Sequence, residues 1–321
     1  MIFASGMTRR LTNRLGGVIV LALLGSAAVF FAMRMGAGDP AIAALGDFAT
    51  PEAIAVFRTK WGLDQPVILQ YWKWLLNALQ GDFGASMTVA ANVPIAKLIA
   101  SRLPNTMFIG LYALTIAVLI SLFAGTLSVL QHGKFADTAA TSFAVLGISM
   151  PDFWLSYVLI YIFALNLGIF PSYGFITPAE SLSAALYSGF LPALAVAAPM
   201  AAAFTRILRT ALLETLYREH VRVARSFGFR EAFIFIHYVM RNALIPYVTV
   251  VGLQIRYILG GTVVVERIFG VPGIGALMVD AAFARDYPVV QACALTFLIS
   301  VLSVNFIVDL ICAALNPRET T

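Results

Sequence analysis

Apolar runs at Leu15–Met33, Thr106–Leu130, Ala139–Leu165, Leu191–Leu212, Leu244–Val265 and Val289–Ala314 alternate with polar stretches along the chain. Each lies near the ~20 residues that a helix needs to cross the ~30 Å apolar core of a bilayer. The pattern predicts six transmembrane helices and an all-α integral membrane protein. The first run is longer than the usual core of a signal peptide, about 7–15 residues, and no small-x-small cleavage site follows it, so it reads as a retained span. The third run is interrupted by Ser149-Met150-Pro151-Asp152-Phe153-Trp154. That places a helix-breaking proline and an acid where polar groups usually face a bundle interior or a water-filled path.

Between the first two runs the chain is polar and mixed. Thr50-Pro51-Glu52 is a helix-start signal. Val67–Leu79, carrying Tyr71, Trp72 and Trp74, reads as an amphipathic helix suited to a membrane interface. The segment predicts a small external cap, too short for a core of its own.

The longest polar interruption of the second half is Tyr217–Pro246. Arg218, Arg222, Arg225, Arg230 and Arg241 fall in it, and each would cost about 2.5–3.5 kcal/mol at the centre of a bilayer helix. This stretch must face water. Gly228 suits the left-handed turn that ends a helix, and Phe233, Ile236, His237 and Met240 recur at helical spacing after it. The expectation is a helix-turn-helix lying beside the membrane.

Composition supports this reading: 60% of residues are hydrophobic and 12% charged, and the mean hydropathy is +0.89. The net charge of +5 comes from basic residues clustered at the ends of apolar runs, which marks topology and not nucleic-acid binding. The two short loops on one side carry Lys134, Arg206, Arg209, Arg218, Arg222, Arg225, Arg230 and Arg241, against Arg267 and Arg285 on the other. By the positive-inside rule the first side is cytoplasmic, and both termini lie there. Cys293 and Cys312, nineteen positions apart in or near the last run, are too far apart along one helix to form a disulfide. The histidines, His132, His220 and His237, have no ligand spacing that points to a metal. No GxxxxGK[ST] loop is present, since Gly133-Lys134 lacks both the preceding glycine and the following hydroxyl residue, so the chain is not expected to hydrolyse ATP itself.

Several motifs carry a resemblance. GDP at Gly38–Pro40, GLDQP at Gly62–Pro66 and GDFGAS at Gly81–Ser86 follow the first run in order, and RLPNT stands at Arg102–Thr106. Pro-Asp-Phe-Trp lies in the third run, RNALIP at Arg241–Pro246, Glu266-x-Ile268-Phe269 with Pro272-Gly273 after the fifth, RDYP at Arg285–Pro288, and Asn316-Pro317-Arg318 near the end. Together they resemble permeases of the dipeptide, oligopeptide and nickel branch of ABC importers, over nearly the whole chain. Ala224, Gly228 and Pro246 match the "EAA" loop of such permeases. The loop departs from the usual form at His220, where tyrosine is common, and at Ser226-Phe227, where Ala-Lys is common.

The resemblance implies a subunit of a bacterial inner-membrane importer with residues 1–35 as amino terminus and first span, 36–102 as the external cap and 103–321 as a five-span core with a coupling loop at 217–243. It implies a second, different permease chain, two ATPase subunits or domains and an external binding protein as partners, besides the lipid bilayer. It implies no cofactor in this chain, with ATP and Mg held by the ATPases. Glu219, Ala224, Arg225 and Gly228 are the expected coupling residues. Asp152 and Arg256, charged where the family more often has neutral residues, are candidates to line the pathway and meet the charged ends of a cargo. Pairing with each other or with a neighbouring subunit is the structural alternative. The expected cargo is short peptides, with nickel or another metal chelate as the alternative. An ion-coupled secondary transporter would instead work alone through intramembrane acids. A membrane enzyme would need a motif such as HExxH or GxSxG, and the chain has neither.

Overall fold

The computed structural model describes the backbone of residues 2–36, 40–46 and 49–315, and side chains except those of 2–15, 35, 36, 40, 43, 255–257, 259 and 309–315. The GDP and Asn-Pro-Arg motifs fall wholly or partly outside these residues, as do the side chains of Arg256 and Cys312. The described residues are helical apart from turns and one isolated bridge between Ala85 and Pro94. Among the described residues five helices are long and apolar enough to cross a membrane: Gly16–Arg34, Ile95–Leu130, Leu182–Leu216, Glu231–Gln254 and Tyr287–Val308. Two pairs of helices divided by short breaks, Phe135–Ser149 with Asp152–Asn166 and Gly260–Phe269 with Ile274–Phe283, meet the same criterion only when joined.

The chain forms two compact units. The first comprises residues 1–106 and 272–307. It holds α1 (Ile2–Gly36), α2 (Pro40–Leu45), α3 (Pro51–Lys60), α4 (Val67–Leu79) and the first residues of α5 (Ile95–Leu130). It also holds α12 (Ile274–Phe283) and most of α13 (Tyr287–Leu315). The Thr-Pro-Glu signal starts α3 as predicted. Thr50 Oγ1 accepts the Ala53 N–H at 3.3 Å, and Pro51 occupies a first-turn position whose N–H has no helical partner. α4 also spans the predicted residues. Its buried Tyr71 and Leu75 pack on Phe30 of α1. A separate cluster joins Ile95 and Ile99 of α5 to Ile274, Leu277 and Ala281 of α12 and to Val289, Ala292 and Cys293 of α13.

The second unit comprises residues 107–271 and 308 onward. α8 (Leu182–Leu216) is its centre, packed by α6 (Phe135–Ser149), α7 (Asp152–Leu159) and α11 (Arg241–Phe269). The alanines of α8 allow this crowding: Ala193, Ala195, Ala197, Ala201 and Ala202 are all buried, and small side chains let helix backbones approach. Gly147 of α6 shows how close that is, because a Cβ there would stand 3.0 Å from the Ala202 Cβ. Phe204, Leu208 and Leu212 fill the remaining space along α8.

One expectation is made sharper and one changes. The interruption of the third apolar run lies where Pro151 predicts it and is a full break: α6 and the helix from Asp152 to Asn166 are bent by 112° about Met150-Pro151. Met150 is extended, at φ −86° and ψ 126°, because the following proline disfavours the helical region for it. The second short helix of the polar stretch is not a separate element. Glu231–Ile234 (α10) runs through a π-helical segment, Phe235–Met240, into α11 without a turn. No glycine or proline stands between Phe229 and Ile245 to stop it, and the wider π turn lets the helix continue with a shifted register. α11 ends only at Gly270, which takes the left-handed conformation, φ 68°.

Candidate coupling surface

The polar stretch begins where α8 stops. Tyr217 and Arg218 leave the helical path, Arg218 is extended at φ −71° and ψ 152°, and α9 (Glu219–Ser226) starts beyond it. α9 is strongly amphipathic in its side-chain pattern. Val221 and Ala224 are buried with Ile234 and Val239, whereas Glu219, His220, Arg222, Val223 and Arg225 are exposed. A larger residue at 224 would push α9 off the π-helical segment below it, with which it makes contact.

Phe227 ends α9 and Gly228 turns the chain at φ 76°, donating its N–H to Arg225 O at 3.0 Å. Most side chains are strained at such a φ. Across this turn Arg225 grips Glu231, with Nε to Oε1 at 2.8 Å and Nη2 to Oε2 at 3.3 Å. The fork holds the carboxylate through both oxygens and fixes the angle between α9 and α10. Glu219 pairs with Arg222 one turn on, at 3.1 Å.

The four expected coupling residues therefore occupy one short hairpin in different ways. Glu219 presents charge outward, Arg225 braces the turn, Ala224 lies in the packed underside and Gly228 makes the reversal. Beside them is an open groove of about 720 Å³ lined by Glu219, His220, Val223, Ala224, Phe227, Phe229 and Tyr238. Phe229, Phe233 and Tyr238 form an aromatic wall, with ring centroids 5.4–6.4 Å apart. Tyr217 and Phe227 are 81% and 75% exposed, an unusual display of large rings on a hairpin otherwise covered in charge. The arrangement offers an apolar socket rimmed by ion pairs.

Asp152 stands at the bend, as the first residue of α7, half-buried, and its carbonyl accepts the Ser156 hydroxyl at 2.7 Å. A carboxylate in that place is favoured by the helix N-terminus. Arg256 belongs to α11, but its side chain lies outside the described residues.

Sequence reasoning missed a second polar centre. Asp137 of α6 is 5% exposed. Its carboxylate receives Arg209 Nε at 2.8 Å and Arg209 Nη2 at 2.9 Å. The Ser128 hydroxyl and the Gly133 N–H also donate to it, and His132 Nδ1 lies 2.9 Å away. One carboxylate thus ties the end of α5, the start of α6 and the last turns of α8. In the sequence Arg209 counts only among the basic topology markers, and Asp137 stands out in no motif. Their separation of seventy-two positions carries no local signal.

Two pairs of the quoted motifs also meet, both within the first unit. Asp286 of RDYP is fully buried and accepts the Ser86 hydroxyl at 2.6 Å and the N–H groups of Thr88 and Val89 at 2.9 and 3.1 Å, all from the GDFGAS loop and its continuation. Asn105 of RLPNT donates to Pro272 O at 2.9 Å, and Thr106 Oγ1 accepts the Ile274 N–H at 2.9 Å. Among the described residues no group of three His, Cys, Asp or Glu side chains could hold a metal ion.

The fold is thus that of a helical membrane protein with a charged, aromatic hairpin between two long helices. Comparison with known proteins gives the family. Residues 117–321 match the inner membrane component of binding-protein-dependent transport systems, and residues 7–110 match the amino-terminal domain of such membrane components. The chain belongs to this family: it is a multi-pass inner-membrane permease of an ABC importer, a class whose ATPase activity lies in separate subunits. It is 37% identical over 311 residues to the glutathione transport system permease proteins GsiC of Escherichia coli (strain UTI89) and Shigella dysenteriae serotype 1, covering 97% of this chain and 98% of theirs. The crystal structure of an amino acid ABC transporter with histidines superimposes with a TM-score of 0.54 at 18% identity, over 68% of this chain and 94% of that one. At that identity the likeness concerns the fold.

Proposed function

We propose that this permease forms, with a second and different permease chain, the path for short peptides delivered by an external binding protein. The observation that carries the cargo is the 37% identity along essentially the full length to permeases named for glutathione, itself a tripeptide. Nickel or another metal chelate is the alternative cargo. Two ATPase subunits supply the energy, binding ATP and Mg themselves.

In this reading the α9 hairpin faces the cytoplasm and seats in a complementary recess of an ATPase. Phe227 and the Phe229–Tyr238 wall supply apolar contact, and the charges of Glu219 and Arg225 set register. Movement of the ATPases reaches the membrane because α9 follows α8 directly and α10 is continuous with α11, so a displacement of the hairpin is a displacement of two long helices. Asp152 and Arg256 contribute charge to the path, where they meet the ammonium and carboxylate ends of a peptide.

The test is ATP-dependent uptake in proteoliposomes holding this chain and its co-purifying partners, with labelled glutathione, labelled longer peptides and nickel chelate offered in parallel. Peptide uptake that disappears in Gly228→Glu, with normal assembly of that variant, is the expected result. Uptake of nickel chelate alone would replace the cargo, and uptake driven by an ion gradient without ATPases would overturn the mechanism.

A further inference from the structure

The first unit contains a helix whose surface divides into three sectors. Successive residues of an α-helix are rotated by about 100°, and on that wheel Tyr71 and Leu75 of α4 mark one sector, both buried against Phe30 of α1. The next sector contains Ile68, Leu69, Trp72, Leu76 and Leu79, which are 44–76% exposed and uniformly apolar. The third contains Gln70, Lys73, Asn77 and, just past the helix, Gln80. An apolar flank and a polar flank thus stand on opposite sides of the edge that grips α1.

The contacts with α1 set the depth of this helix. Arg34, at the end of the first apolar span, donates to the Gln70 side chain. Tyr71 packs on Phe30 and Phe31 with ring centroids 5.4 and 5.7 Å apart, and Trp74 packs on Phe30 at 5.7 Å. The Tyr71 hydroxyl lies 3.0 Å from Ser26 Oγ and 3.4 Å from Leu23 O. Phe30 is four residues inside Arg34, about 6 Å at 1.5 Å per residue. A helix touching α1 at that level sits ~5–10 Å into the boundary between headgroups and acyl chains, the depth at which amphipathic helices lie in an interface.

We propose that α4 is embedded in the leaflet reached by the Arg34 end of α1, with acyl chains covering Ile68, Leu69, Trp72, Leu76 and Leu79 and water covering Lys73 and Asn77. The occupant is lipid because the edge next to this apolar flank is packed on the first span itself, at Phe30 and Phe31, a span whose Ile19, Val20, Leu21, Leu23 and Leu24 are exposed as well. A water-soluble partner would leave no reason for burial of the gripping edge at hydrocarbon depth. Trp72 and Trp74 carry the amphipathic ring favoured at this level. The consequence is that the segment between the first two spans is anchored to the bilayer at its middle, and the loops on either side of α4 are held at the membrane surface. This inference requires only that the chain spans a membrane, and is independent of cargo.

Nitroxide labels on single cysteines at positions 68, 72, 76, 73 and 77, in a Cys293→Ala and Cys312→Ala background, test it in the complete transporter reconstituted in liposomes. Collision with oxygen is expected to dominate over collision with a water-soluble nickel chelate at 68, 72 and 76, and the ratio to invert at 73 and 77. Because a label could disturb local packing, quenching of Trp72 emission by lipids brominated near the headgroup provides a second readout, with Trp61, Trp74 and Trp154 changed to Phe. A clear loss of emission is expected. Access of the nickel chelate to both flanks would overturn the proposal, as would shielding of the apolar flank from both reagents, which would mean a protein covers it. Unquenched Trp72 emission would overturn it equally.

Discussion

Arg209 of α8 holds both carboxylate oxygens of Asp137 in α6, at 2.8 and 2.9 Å, through its Nε and Nη2 atoms. Breaking a well-ordered, largely buried pair by removing one partner leaves the other charge uncompensated and costs about 3–5 kcal/mol. Asp137→Asn and Arg209→Gln are therefore each expected to lower the thermal stability of the solubilised transporter markedly. Asp137→Asn combined with Arg209→Gln is expected to recover part of that loss, because the pair couples directly. Thermal unfolding of the two single variants and the double variant measures the coupling, and additive losses would refute it.

The turn at Gly228 is a sharper probe of the hairpin. An alanine at φ 76° costs about 1–2 kcal/mol for the left-handed conformation, whereas asparagine tolerates it better. Gly228→Asn is expected to retain most ATP-dependent uptake and Gly228→Ala to lose much of it, with equal amounts of each protein in the membrane. Equal uptake by both would show that the angle between α9 and α10 is not transmitted.

Arg225 and Glu231 are largely exposed, so their pair stabilises the fold by only about 0.2–1 kcal/mol. Arg225→Gln is expected to leave the melting temperature of the permease almost unchanged while weakening stimulation of the ATPase subunits. If stimulation is intact, the brace does not set the docking register.

Asp286 supports the loop that follows GDFGAS by accepting one hydroxyl and two backbone N–H groups. Hydrogen bonds to a charged group contribute about 1.5–3 kcal/mol each, and Asp286→Ala abandons all three. Limited proteolysis is expected to cut between Gly84 and Val93 in this variant and not in the parent. Ser86→Ala, which removes one donor, is expected to give slower cleavage at the same place.

At the bend, Asp152→Asn keeps the size of the side chain and removes its charge. The helix N-terminus contributes about 0.3–1 kcal/mol to an acid there, so stability is expected to change little. Peptide uptake is expected to fall if the charge meets cargo, and normal uptake by Asp152→Asn and Arg256→Gln together would end the pathway assignment.

The sequence by itself determined the class of molecule, the approximate position of most spans, the start of α3, the limits of α4, and the turn at Gly228. These follow from local physics: the length of an apolar run against a bilayer, a threonine and proline at a helix start, a glycine where φ is positive. It also supplied the motifs, but not their meetings. Asp286 with Ser86, Asn105 with Pro272 and Asp137 with Arg209 are separated by up to two hundred positions, and no periodicity relates such partners. Only the tertiary structure decided that Met150-Pro151 is a sharp bend rather than a kink, since a proline permits either and packing of α6 and α7 on α8 selects one. Likewise only it joined α10 to α11, because the arginines that keep a helix end in water do not stop the helix from continuing into the membrane.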